Sequence, residues 1–213
     1  PSYAFYGIDS ITKVTLGEGV TSIGGSAFRY CSSLATVTFV EGSQLESIGD
    51  YAFYNCSNLT EITLPSSLTS IGHIAFDDCS SLTEVNYQGT MDQWLNMTFG
   101  KSWLPYNNNI NLYINNELVD EITINNDIPS YAFLRIDSIT KVTLGEGVTS
   151  IGDSAFSGCS NLTEIYYQGT MDQWLNMTFV SSWLPSNNNI NLYINNELVD
   201  EITINADIPS YAF

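Results

Sequence analysis

Apolar letters recur along the chain in short runs of one design: ITKVTL from Ile11, LATVTF from Leu34, LTEITL from Leu59, LTEVNY from Leu82, ITKVTL from Ile139 and LTEIYY from Leu162. Positions one, four and six of each run are apolar, and the last two keep the period of two expected of a strand with one buried face. Leu59, Ile62 and Leu64 are therefore expected to point inward, with Glu61 and Thr63 outward. Ala-Phe pairs alternate with the runs, at Phe5, Phe28, Phe53, Phe76, Phe133, Phe156 and Phe213, usually preceded by Ile-Gly as in Ile48-Gly49 and Ile71-Gly72. The GxxAFxxC stretch is too short for a long helix and suits a single helical or 3₁₀ turn that sets Phe against its neighbours.

The gaps between these phenylalanines are 23, 25, 23, 57, 23 and 57 residues, so a unit of about 23 is being stacked. Self-similarity of that period marks a solenoid with one strand per coil. No coil can bury its Leu, Ile and Phe alone, and stacking supplies the missing interior.

Written out from Leu59 to Cys79, the repeat L-x-x-I-x-L-P-x-x-L-x-x-I-G-x-x-A-F-x-x-C resembles the BspA-like leucine-rich repeats of bacterial and some protist surface proteins. The resemblance covers essentially all of 1–213. It implies an α/β, right-handed, curved leucine-rich-repeat solenoid, with parallel strands on the concave face and short helical or 3₁₀ turns on the convex side. It also implies an adhesive or host-interaction role outside the cell.

The two 57-residue gaps hold expanded coils at about 87–128 and 167–208, and YQGTMDQWLNMTF stands unchanged at both Tyr87 and Tyr167, which reads as duplication. Thr90-Met91-Asp92-Gln93 has the T-x-x-Q pattern of a capping box, predicting a short helix from Met91 to about Thr98. Asn115-Asn116, between LYI and ELV, predicts a tight hairpin turn, because Asn tolerates positive φ. A strand over Glu121–Ile124 then rejoins the solenoid. The chain opens on PSYAF and closes on IPSYAF, which reads as one solenoid cut from a longer array.

The 44% apolar and 13% aromatic content is that of a globular chain, and 23 acids against five bases give a net charge of −18. That charge disfavours nucleic acid and anionic membrane as partners. No apolar run reaches the length of a membrane span, and no basic segment followed by a hydrophobic one opens the chain.

Candidate chemistry is sparse. Cys31, Cys56, Cys79 and Cys159 lie three residues after the repeat Phe, where Ile8 and Ile136 stand in other coils, so they read as buried inert thiols. His73 is the only histidine, and it follows a repeat Gly in a variable slot held elsewhere by Gly25, Asp50 and Asp153, so it reads as surface decoration. No metal site or cofactor is implied. The outward strand positions read Lys13, Thr36, Glu61, Glu84, Glu121, Lys141, Glu164 and Glu201 in one column, and Thr15, Thr38, Thr63, Asn86, Thr123, Thr143, Tyr166 and Thr203 in the other. Glu61, Glu84, Glu121, Glu164, Glu201 and Tyr166 are accordingly candidates for an acidic contact strip. Trp94 and Trp174 read as the buried side of the short helix, whereas Trp103 and Trp183, in the looser SWLP segment, are candidates for an exposed contact. These features favour a non-catalytic, extracellular, cell-surface segment that binds a host or cell-surface protein or a glycan. The alternatives are a spacer without a ligand of its own and, further off, a carbohydrate-active enzyme using paired carboxylates.

Overall fold

A computed structural model describes residues 1–106, 109–186, 189–204 and 207–212. The chain forms two compact units, 1–118 and 119–213.

In unit 1 each coil contributes one four-residue and one two-residue strand. In chain order these are β1 (Lys13–Leu16), β2 (Ser22–Ile23), β3 (Thr36–Phe39), β4 (Ser47–Ile48), β5 (Glu61–Leu64), β6 (Ser70–Ile71) and β7 (Glu84–Tyr87). Then follow the helix α1 (Met91–Leu95), β8 (Thr98–Phe99), β9 (Asn111–Ile114) and β10 (Glu117–Leu118). The long strands pair in parallel, β1 with β3, β5 with β7 and β7 with β9, while β2, β4, β6 and β8 make a second parallel sheet. Unit 2 repeats the scheme with β11 (Glu121–Ile124), β12 (Lys141–Leu144), β13 (Ser150–Ile151), β14 (Glu164–Tyr167), α2 (Met171–Leu175), β15 (Thr178–Phe179), β16 (Asn191–Ile194) and β17 (Glu197–Leu198). The predicted alternation holds: Leu59, Ile62 and Leu64 are fully buried, and Glu61 is exposed.

The Phe-bearing stretch is a run of tight turns whose amides alternate between two kinds of partner. The N–H of Phe28 crosses to the Ala52 carbonyl of the next coil at 2.8 Å, and that of Phe53 to Ala75 at 2.8 Å, whereas Ala52 bonds within its coil to Gly49 at 3.2 Å. This alternation requires left-handed residues two before and two after Phe, as at Tyr51 (φ 57°) and Asn55 (φ 59°). The phenylalanines then stack face to face, with centroids 5.1, 5.3 and 5.1 Å apart through Phe5, Phe28, Phe53 and Phe76. Glycine precedes the turn because the coils touch there: a Cβ on Gly49 would lie 2.6 Å from the backbone nitrogen of Gly25.

Both capping boxes form, on Thr90 with Gln93 and on Thr170 with Gln173, although each helix ends at Leu95 or Leu175, short of the predicted Thr98. The hairpin also forms, with Asn115 at φ 50° and Asn116 at φ 64°. The long gap differs from expectation. It holds a further coil, because β9 joins the ladder beside β7 and Trp103-Leu104 stands where Ala-Phe stands elsewhere, the N–H of Phe76 reaching the Trp103 carbonyl at 2.9 Å. Antiparallel β10 then fills the sheet edge beside β9, and β11 opens a new ladder.

Candidate functional site

The outward side of the four-residue strands is where sequence analysis placed most candidates. In unit 1 one row reads Glu61, Glu84, Asn111 and the next Thr63, Asn86, Tyr113, with Leu118 of the hairpin opposite Tyr113. Glu61 and Glu84 are direct neighbours in register, an unfavourable placement of like charges.

In unit 2 the corresponding rows are Glu121, Lys141, Glu164, Asn191 and Thr123, Thr143, Tyr166, Tyr193, with Leu198 opposite Tyr193. Where unit 1 carries Glu61 and Asn86, unit 2 carries Lys141 and Tyr166. Lys141 Nζ lies 3.4 Å from Glu121 Oε2 and 5.0 Å from the centroid of the Tyr166 ring. On its other side Tyr166 stacks on Tyr193, with centroids 4.3 Å apart and planes within 4°. Desolvation by these neighbours and the negative field of Glu164 raise the Tyr166 pKa. An exposed ion pair contributes about 0–1 kcal/mol, so the Lys141–Glu121 pair adds little to stability. Both tyrosines are half-buried and keep surface available.

Three candidates need correction. Trp103 and Trp183 do not face solvent; their exposures are 0% and 3%. Trp103 packs against Trp94 at 6.0 Å and Phe99 at 5.6 Å, and Trp183 against Trp174 at 6.2 Å and Phe179 at 5.4 Å. The Trp183 indole N–H also donates to the Tyr211 carbonyl at 2.8 Å. Two indoles fill the volume that α1 or α2 opens in the coil, and SWLP reads as loose only until it is aligned with the Ser-Ala-Phe of other repeats. Glu201 is exposed but lies outside any strand, so it does not extend the acidic row. That row is also interrupted, because Asn111 follows Glu84 and Asn191 follows Glu164. Sequence reasoning missed Tyr193 because it left Asn191–Ile194 out of the parallel ladder; the N-L-Y-I alternation was the signal.

The thiols are structural. Each donates to the carbonyl of the preceding coil's phenylalanine, Cys56 to Phe28 at 3.2 Å and Cys79 to Phe53 at 3.1 Å, and none of the four is in a disulfide. Burial pushes the Cys159 thiol well above its ordinary pKa. His73 Nδ1 accepts the backbone N–H of Lys101 at 2.9 Å, which ties the ring to the next coil. Among the described residues no group of three His, Cys, Asp or Glu side chains is gathered that could hold a metal ion.

The chain is similar to a leucine rich repeat protein of T. pallidum, with 26% identity over 87% of this chain and 70% of that one, at a TM-score of 0.47. It is similar to a leucine rich cell surface protein of Faecalibacterium prausnitzii, with 21% identity over 83% and 65% of the two chains and a TM-score of 0.39. The pneumococcal vaccine antigen PcpA is similar at 20% identity, over 87% and 66%, with a TM-score of 0.33. No curated protein matches the chain. The profile of the BspA type leucine rich repeat region matches residues 1–120 and 106–213, in six copies. With its repeats recognised from end to end, the chain belongs to the BspA-type leucine-rich repeat family.

Proposed function

We propose that the chain is a non-catalytic binding segment at the cell surface, which engages a protein partner through the outward side of its four-residue strands. The observation that carries this reading is the Tyr166–Tyr193 pair, stacked at 4.3 Å, half-exposed, and flanked by Lys141 and Glu164. Tyrosine supplies large, rigid contact area with a polar tip, and partly covered aromatic anchors are where interfaces concentrate their energy. Family membership supports placement outside the cell, in company with other BspA-type repeats. Among the described residues no helix is long and apolar enough to cross a membrane.

The inserts carry the same outward residues, Asn111 and Tyr113 or Asn191 and Tyr193, and the units differ in the strands before them, where Glu61 and Asn86 of unit 1 give way to Lys141 and Tyr166 of unit 2, so the first contact is more acidic and the second more aromatic. The test is capture of fluorescent beads, coated with the full chain, by cells and by isolated surface proteins. Tyr166→Ala with Tyr193→Ala should lower capture at least tenfold while the thermal midpoint stays within a few degrees. Unchanged capture, or none by the parent chain, would favour a spacer that holds other domains away from the surface.

A further inference from the structure

A second surface lies on the turn run of unit 1, apart from the strand rows. Arg29 follows the repeat phenylalanine Phe28, and its guanidinium carbon sits 4.8 Å from the Tyr30 ring, 4.8 Å from Tyr51 and 5.0 Å from Tyr54. The rings brace one another edge to face, Tyr30 against Tyr54 at 5.5 Å and Tyr51 against Tyr54 at 5.9 Å. One Nη2 hydrogen goes to the Tyr30 hydroxyl at 3.1 Å, and Nε is buried without an acceptor. The chain has 23 carboxylates, yet among the described residues none is within ion-pair reach of Arg29. Asp78 is engaged instead by the Tyr54 hydroxyl, whose pKa it raises to about 12.

A guanidinium has five N–H donors in a rigid fork. With one on Tyr30 and one covered by the rings, three remain at the outer edge. The fork is held in place before any ligand arrives, which removes the entropy penalty that a mobile arginine would incur on binding. What matches such a fork is a carboxylate bound through two parallel hydrogen bonds. The net charge of −18 sets a limit on the partner, because a polyacid would be repelled. We propose that Arg29, clamped by Tyr30, Tyr51 and Tyr54, receives a single Asp or Glu side chain from a partner protein whose surrounding surface is apolar or basic.

The test uses the full 213-residue chain and two blocked peptides, Lys-Phe-Glu-Phe-Lys and the same peptide with Gln for Glu. Binding is followed by the Arg29 Nε–H resonance. Bulk attraction to an acidic chain ranks the Gln peptide first, because it is the more positive. A carboxylate receptor reverses that order, and the Glu peptide is expected to bind at least tenfold more tightly. Arg29→Gln should erase the difference, and Arg29→Lys should remove most of it, since an ammonium lacks the fork. Arg29 is half-buried, and Arg29→Lys keeps a cation over the rings, so that variant should stay within a few degrees of the parent melting temperature, and circular dichroism checks that Arg29→Gln keeps the fold. The proposal is overturned if the Gln peptide binds equally or better, or if neither peptide moves the Arg29 signal. It also fails if the preference survives Arg29→Gln, or if glucuronate moves the signal at the peptide's concentration, which would make the site a receptor for acidic sugars.

Discussion

Phe53→Ala tests what the phenylalanine column contributes. Phe53 is fully buried, and its ring stacks on Phe28 at 5.3 Å and on Phe76 at 5.1 Å, with planes within 6° in both pairs. Truncating a buried phenylalanine costs about 3–5 kcal/mol, because transfer energy is lost and the cavity refills only in part. Each ring pair is worth a further ~0.5–1.5 kcal/mol beyond the buried area. Phe156 is equally buried but has one stacked phenylalanine, Phe133 at 5.2 Å. Phe53→Ala should therefore exceed Phe156→Ala by one ring pair, about 0.5–1.5 kcal/mol. Urea unfolding followed by tryptophan fluorescence reads both variants, since Trp94 and Trp103 report on unit 1 and Trp174 and Trp183 on unit 2. Phe53→Leu, which keeps most of the volume and loses the ring, should fall between parent and Ala. The reasoning is refuted if Phe53→Ala costs under about 1 kcal/mol, the scale of an ordinary surface change, or if Phe156→Ala proves the more damaging.

Three further outcomes are expected. Gly72→Ala should destabilise unit 1 by about 1–3 kcal/mol, as seen in its urea midpoint, because the new Cβ would lie 2.5 Å from the Asp50 backbone nitrogen and 2.6 Å from the Gly49 carbonyl carbon. The four thiols should resist a disulfide reagent such as Ellman's in the native state and react fully in urea; fast native labelling would contradict their burial. The Tyr131 hydroxyl donates to Asp153 Oδ2 at 2.6 Å, and this hydrogen bond raises its pKa from 10.0 to about 12. The folded state favours the neutral phenol, so its contribution is complete below pH 10 and is lost as pH rises toward 12. In a phenolate absorbance titration, Asp153→Asn should remove one phenol from the late-titrating group.

The coil was legible in the sequence because its packing repeats: Ile-Gly-x-x-Ala-Phe marks the point of coil contact, and the run that follows marks a strand with one face in. The extra coil was hidden because Trp103-Leu104 takes the place of Ala-Phe, 28 residues after Phe76 and 29 before Phe133, and so breaks the identity of the letters while keeping the shape. Missing that coil moved Asn111 and Asn191 out of the outward rows and left Tyr193 unpaired with Tyr166. The Arg29 clamp was illegible for a different reason. Tyr30, Tyr51 and Tyr54 surround it through left-handed turns at Tyr30 (φ 64°) and Tyr51 (φ 57°), and strand periodicity says nothing about the directions taken there.

Deleting one whole coil, residues 54–76, tests most directly whether neighbouring coils supply one another's interior. The cut joins Phe53 to Asp77 in phase with the repeat. The shortened chain should keep its β-type circular dichroism and cooperative unfolding, whereas removal of residues 54–65, half a coil, should unfold unit 1. Loss of structure on the in-phase deletion, or equal tolerance of both, would contradict the stacked solenoid.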